Sequence, residues 1–395
     1  MRIDYSKYAN KVQFWKSVVE SSKDFTGTSP PSIFVGRHSY PKVFVGVLSP
    51  PQQHETTEIL DSPETWYREK ATIGQILGYR GQMVYSRFQT DSVKARPGKL
   101  EEVVQEVSMS KKSADVEISL KSKPRFGFES DLASTPIGSA GQVDRMRLAS
   151  NPSVGRRVDY VVSDTDMRAG DALVDLYRRG IPISRIQKIF SAGLLGVPFQ
   201  RKFVPTRWSV TAVDDIVGKS MMRDVRELQE VDGHVLFHNE YLGNHYEILF
   251  IPDQYQYELV EIWNSPMSTS IGSDYEPNRG RKTYASSTEG AFYAGRLAAM
   301  EQMIRMKRQG SVLIVREILP SYDVPMGIWQ MRETVRGAFD SAPEKFPTLQ
   351  EALQRISSRV SVGARWRQRS ELLKNVREQR KVLSFFRPSS SSGSA

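Results

Sequence analysis

Residues 234–243 read HVLFHNEYLG, residues 244–253 NHYEILFIPD and residues 255–264 YQYELVEIWN. All three runs are rich in aromatic and branched apolar residues, and Gly243-Asn244 and Pro252-Asp253 separate them. This pattern predicts three strands in an antiparallel meander. In the third run Tyr255, Tyr257, Leu259, Glu261 and Trp263 share one face, because side chains alternate along a strand. Glu261 is thereby placed among bulky apolar neighbours, where a carboxylate is either paired in the interior or lines a pocket.

Toward the C-terminus, Ser273-Asp274-Tyr275-Glu276 leads through Asn278-Arg279-Gly280-Arg281-Lys282 into an expected helix from about 289 to 308. Lys307, Arg308 and Gly310 supply its stop signals. Residues 311–318 read as a strand carrying Arg316-Glu317, and Trp329, Arg332 and Glu333 open the last helix of the body. Beyond it Pro347-Thr348 starts a helix with a Thr348/Glu351 capping box and apolar Leu349, Leu353, Ile356 and Val360, one face of a helical repeat.

Toward the N-terminus, residues 191–215, SAGLLGVPFQRKFVPTRWSVTAVDD, pack two glycines, two prolines, Arg201, Lys202, Arg207, Trp208 and the pair Asp214-Asp215 into one constrained segment. Such a segment either builds a site or is a buried connection whose ions satisfy one another. Residues 158–162 read as a short buried strand with Asp164 and Asp166 at its end, where functional groups collect in open α/β sheets. These two carboxylates suit a hard cation and serve equally as helix caps. Gly138 and Gly141 are expected to precede a helix; a phosphate contact through their N–H groups is the lesser reading, since their spacing matches no dinucleotide fingerprint, and residues 36–41 read either as a phosphate-contacting loop or as a plain hairpin-like corner. DSPETW at 61–66 has the arrangement of a helix start. Residues 90–130 are expected to hold one strand, marked by Val116, Ile118 and Leu120, and Val12, Trp15 and Val19 mark an N-terminal helix. Gly218-Lys219-Ser220 resembles the end of a P-loop, but Val213 stands where its glycine belongs, and that motif is excluded.

The expected architecture is therefore α/β in the mixed α+β sense: a mixed-sheet body with an antiparallel meander, helices around it, and a basic helical C-terminal tail. Its divisions are an N-terminal lobe at 1–130, a core lobe at 131–345 and the tail at 346–395. At 395 residues, two lobes are the natural expectation. No apolar run approaches bilayer-spanning length and the N-terminus has no signal-like stretch, so an intracellular, cytoplasmic protein without a membrane partner is expected.

The absence of cysteine excludes disulfides, thiolate zinc sites and cysteine nucleophiles. With five histidines, two of which (His234 and His238) read as strand residues, no zinc is expected; any metal would be Mg²⁺ or Mn²⁺ on oxygen ligands. Residues 351–395 hold ten Lys/Arg against three Asp/Glu, so +7 of the net +10 lies in the tail; such a run is most commonly the solvated face of a surface helix and can also hold a phosphate backbone non-specifically.

Taken together, FVGRHSYPKVFVG (34–46), DSPETW, LASTPIGSAG (132–141), VSDTD (162–166), SAGLLG, RKFVPTRWSVTAVDD, YLGNHYEILF (241–250), SDYEPNRGRKTYA (273–285) and GIWQMRETVR (327–336) resemble the archaeal Nre family of DNA repair proteins. The resemblance runs from about residue 25 to 340 and resumes at the C-terminal signature. It implies a role in the response to DNA damage and binding to the sliding clamp PCNA. Some relatives carry an N-terminal cysteine zinc motif, and nothing tied to that motif transfers to a chain without cysteine. Gln379, Val382, Phe385 and Phe386 resemble the PCNA-interacting peptide, with the aromatic pair as apolar anchors.

Two functional classes stay open from the residues. In one, Asp164, Asp166, Asp214 and Asp215 hold Mg²⁺ or Mn²⁺, joined by Asp274 and Glu276, while Arg207 and Arg281 hold a phosphodiester for metal-activated water. In the other, these groups are an internal ion network and the protein is a clamp-tethered, DNA-binding adaptor.

Overall fold

The computed structural model describes residues 5–93, 97–265 and 268–378. Fourteen strands are found among them. The first sheet contains β1 (Asp24–Ser29), β2 (Ile33–Val35), β3 (Lys42–Ser49), β4 (Val84–Asp91), β5 (Ala114–Leu120) and β6 (Ala140–Leu148), in the order β1-β5-β6-β4-β3-β2. Only the β4–β6 pairing is parallel. Short β7 (Gln229–Glu230) pairs with β12 (Arg308–Gln309). The second sheet contains β8 (His234–Tyr241), β9 (Asn244–Ile251), β10 (Gln256–Asn264), β11 (Thr269–Glu276), β13 (Ser311–Ile318) and β14 (Glu344–Phe346), in the order β11-β10-β13-β9-β8-β14.

The mixed α/β class is what the structure shows, but the three runs that open the sequence reading do not form a simple meander. β8 and β9 are a hairpin. β13 then inserts between β9 and β10, antiparallel to the first and parallel to the second. Every residue of β9 and β13 is buried, as expected of central strands covered on both faces. Alternation within each strand gave no information on which strand would be its neighbour.

Other local readings are corrected too. Residues 158–162 lie in the helix Arg156–Ser163, where Val158 and Val161, three apart, face the core; that burial overrides the strand preference of valine. The segment after Gly138 and Gly141 is strand β6, its Val143 and Met146 buried. The region 90–130 holds, besides β5, the helix Lys99–Met109, whose Val103, Val104 and Val107 are buried and whose Glu101 accepts the Gly98 N–H at 3.1 Å. Gly218-Lys219-Ser220 lies inside the 21-residue helix Thr206–Arg226, away from any phosphate-binding turn.

One face of the second sheet packs on the helices Glu289–Met306 and Trp329–Ala338. The opposite face is covered by residues 349–373: Leu353, Ile356, Trp366, Leu372 and Leu373 bury Leu249, Val260, Ile262, Leu313 and Val315. Thr348 accepts the Glu351 N–H at 3.2 Å, starting the helix Leu349–Arg359 as its sequence predicts. Much of the basic segment is thus a layer of the fold. Residue 130 falls between β5 and β6 of the first sheet. The core of that sheet continues through Val213, Val217, Leu297 and Trp329, joining it to the helices behind the second. No helix among the described residues is long and apolar enough to cross a membrane.

Candidate functional site

Where the two sheets' helices meet lies a small cavity of about 70 Å³, its wall mostly apolar with a few charged and hydroxyl groups. Asp61 ends a 3-10 turn over Glu58–Asp61, Arg80 lies in the last turn of the helix Ile73–Gly81, and Lys188 belongs to the helix Ile183–Ser191. Asp61 lies 2.8 Å from Arg80 Nη1 and 2.8 Å from Lys188 Nζ, and the Ser32 hydroxyl donates to it. Burial opposes ionisation of Asp61, but Lys188 and Arg80 outweigh it and hold the carboxyl at about 2. Phe34, Asp61, Ser134, Ser191, Thr206 and Trp329 all line this cavity, drawn from five of the segments singled out in the sequence. Gly193, two residues beyond Ser191, has φ +72° and turns so tightly that a Cβ would lie 2.7 Å from the Lys202 carbonyl.

Behind the cavity lies a series of buried arginine–carboxylate pairs. Arg332 Nη1 donates to both oxygens of Asp214 at 2.8 Å. Asp215, the next residue on the same helix, accepts from Arg296 Nη2 at 2.6 Å and from Lys219 at 2.8 Å. The other arm of Arg296 donates to Glu276 at 2.7 Å, and Glu276 also accepts the Tyr255 hydroxyl at 2.7 Å. Arg296 packs beside Gly218, where a Cβ would stand 3.4 Å from the guanidinium, close to ordinary contact. Asp274 accepts from Arg281 Nη2, the Ser287 and Thr288 N–H groups and the Thr288 hydroxyl, at 2.8–3.0 Å. Arg207 pairs with Glu289 at 2.5 Å.

Glu261 is both paired and at a pocket wall: Arg316 Nη1 donates to it at 2.7 Å beside a cavity of about 230 Å³. Burial raises the Glu261 carboxyl above the usual range, with Arg316 opposing.

The residues singled out from sequence are therefore brought together in part. Asp215 and Glu276 share Arg296, and Asp274 holds Arg281. Asp164 instead accepts the Asp166 and Met167 N–H groups at 2.9 and 2.8 Å and caps the local chain, while Asp166 is exposed. The four aspartates suggested for a cation do not form a close ligand set; among the described residues the grouping that does is His238, Glu240 and His245. Its signal was legible as His-x-Glu on both arms of one hairpin: the register sets His238 opposite Glu247 and Glu240 opposite His245. His245 Nδ1 lies 2.7 Å from Glu240 and Nε2 3.0 Å from Glu247, and Arg359 donates to Glu247 at 3.2 Å. Two carboxylates hold the ring: burial disfavours its charge, but Glu247 and Glu240 raise its pKa above the ordinary value. Arg80 and Lys188 were missed altogether, since nothing in their local sequence marks them. Gln379, Val382, Phe385 and Phe386 lie outside the described residues.

The N-terminal profile of archaeal Nre matches residues 5–269, and the C-terminal profile matches residues 276–385. The chain belongs to the archaeal Nre family. An Archaeoglobus fulgidus Nre protein named DNA repair protein NreA is 38% identical over 383 residues, covering 95% of this chain and 93% of that one. The same organism's DNA repair protein NreB is 36% identical, covering 91% and 92%. DNA repair protein NreA of Haloferax volcanii is 33% identical, covering 88% and 86%. No solved structure matches this Nre chain.

Proposed function

We propose that this chain is a DNA repair factor that binds DNA and is recruited by the PCNA clamp through Gln379, Val382, Phe385 and Phe386, acting as an adaptor rather than as a nuclease. Similarity along nearly the whole chain to proteins named for DNA repair supports the biological role. The observation that carries the adaptor reading is the occupancy of the carboxylates. Asp214, Asp215, Asp274 and Glu276 are each neutralised by an arginine within 2.8 Å, whereas Mg²⁺ or Mn²⁺ needs carboxylate and water oxygens with their lone pairs available. The same pairing occupies Arg207 and Arg281, and Arg201 donates to the Gly196, Val162 and Asp164 carbonyls. Arg37 and Lys202 remain exposed. Tyr40 and Trp208, both partly exposed with ring centroids 5.0 Å apart, offer a surface on which an unpaired base would stack.

The test is a Mg²⁺ and Mn²⁺ titration with damaged, flapped and single-stranded DNA, followed for cleavage and binding in parallel. Binding without metal-dependent cleavage is the expected result; cleavage lost in Asp214→Asn would restore the nuclease.

A further inference from the structure

We propose that the cavity between Asp61, Arg80 and Lys188 is a phosphate site, taking either inorganic phosphate or the terminal phosphate of a DNA strand. Its ionisable lining consists of two cations and one carboxylate, a buried excess of positive charge that nothing on the cavity wall balances. Buried charge is ordinarily matched by a partner. Asp61 is fully engaged by Arg80, Lys188 and Ser32. Arg80 Nε donates to the Pro136 carbonyl at 2.8 Å, whereas Nη1, in a side chain only 4% exposed, lies close to Asp61 but lacks hydrogen-bond alignment.

A second observation points the same way. Three helices of nine residues or more, Ile183–Ser191, Thr206–Arg226 and Trp329–Ala338, present first-turn residues (Ser184, Thr206 and Trp329) to the same cavity. A helix's first turn favours an anion; in the first of the three, Glu64 already accepts the Ser184 N–H at 3.2 Å and its hydroxyl at 2.9 Å, so a ligand would meet the first turns of the other two. Size selects the ligand: about 70 Å³ holds a small ion or a few waters and is far below the roughly 300 Å³ of a pocket for a whole nucleotide. Lys188 is more accessible than Arg80, at 16% against 4%, and is placed to meet an anion at the mouth. Trp208 stands in the first turn of the helix that Thr206 begins, with the ring of Tyr40 from the β2–β3 turn beside it, so a strand whose end enters the cavity has a stacking surface nearby.

Thermal unfolding of the full chain in inorganic phosphate against chloride at matched ionic strength tests the site. Phosphate should raise the melting temperature; Lys188→Met should remove most of that rise, and Asp61→Asn, which deletes the competing negative charge, should enlarge it. The Asp61 comparison also covers the chance that Lys188→Met fails to fold. A chloride effect equal to that of phosphate, or a full phosphate effect in Lys188→Met, overturns the proposal. The source is decided by anisotropy with 5′-phosphorylated and 5′-hydroxyl single strands. Phosphorylated DNA binding about tenfold tighter, with the preference lost in Lys188→Met, identifies the strand end. Equal binding with the thermal effect intact identifies free phosphate. The strand-end arm rests on the DNA-binding reading above and the inorganic arm does not, so the two can fail separately.

Discussion

Arg332 and Asp214 form a closed pair: one guanidinium nitrogen donates to both carboxylate oxygens at 2.8 Å, and both side chains are fully buried. Burial pushes the Asp214 carboxyl up to about 6, with Arg332 and Arg336 opposing the rise. Breaking one side leaves an uncompensated charge in the interior, so Arg332→Met should cost about 3–5 kcal/mol. The double variant Asp214→Leu/Arg332→Met should recover most of that loss, because an apolar pair of similar volume is tolerated where a lone ion is not. Urea unfolding midpoints check both. Single variants with unchanged midpoints would mean that the pair does not support the fold.

Glu258 on β10 fastens the C-terminal layer. It accepts the Ser370 hydroxyl and the N–H groups of Glu371 at 2.8 Å and Leu372 at 3.2 Å. Burial pushes its carboxyl up from 4.5 to about 7, despite those three donors. A folded-state pKa above the unfolded one gives stability that is complete at and below the unfolded value and is lost as pH rises through the folded value. The stability difference between the parent and Glu258→Gln should therefore shrink between pH ~5 and ~8. A difference constant across that range in calorimetric melts would show that Glu258 does not titrate there.

His245 follows the same sign by a different cause. Glu247 and Glu240 raise its pKa against the effect of burial. The imidazolium's contribution is present below the unfolded value near 6.5 and declines as pH rises through the folded one. His245→Gln should flatten this part of the profile. Nuclear magnetic resonance titration of the ring gives the direct reading, and a midpoint below 6.5 would contradict the pairing.

Removing residues 379–395 should leave the fold intact, abolish clamp binding, and lower the salt slope of DNA binding through loss of Arg380, Lys381 and Arg387. Truncation before Thr348 should behave differently, because it uncovers Leu249, Val260, Ile262, Leu313 and Val315 on the second sheet and invites aggregation. Circular dichroism, light scattering and salt-dependent binding separate the two truncations.

Within the tail, Phe385→Ala/Phe386→Ala should weaken binding to purified clamp by roughly 100-fold or more, since buried aromatic anchors dominate such interfaces. Calorimetry decides it: parental affinity in the double variant would remove the peptide assignment.

The sequence by itself determined what is local. Hairpin β8–β9, strand β10, the helix capped by Thr348 and the rejection of a P-loop at 218–220 all follow from periodicity and turn chemistry over a few residues. It also determined the family, because long motifs in order are a property of the chain alone. Tertiary structure decided what depends on distant partners. Valines at 158, 161 and 162 fit a strand until a core three residues apart selects a helix, and β13 enters between β9 and β10 although some fifty residues separate it from either. The site divides the same way. Asp214 and Asp215 were visible as a carboxylate pair, but adjacent positions on a helix point in different directions, and only the fold assigned one to Arg332 and the other to Arg296. Asp61, Arg80 and Lys188 meet across more than a hundred residues, and no spacing in the chain encodes that meeting, since it exists only once three separate elements have packed.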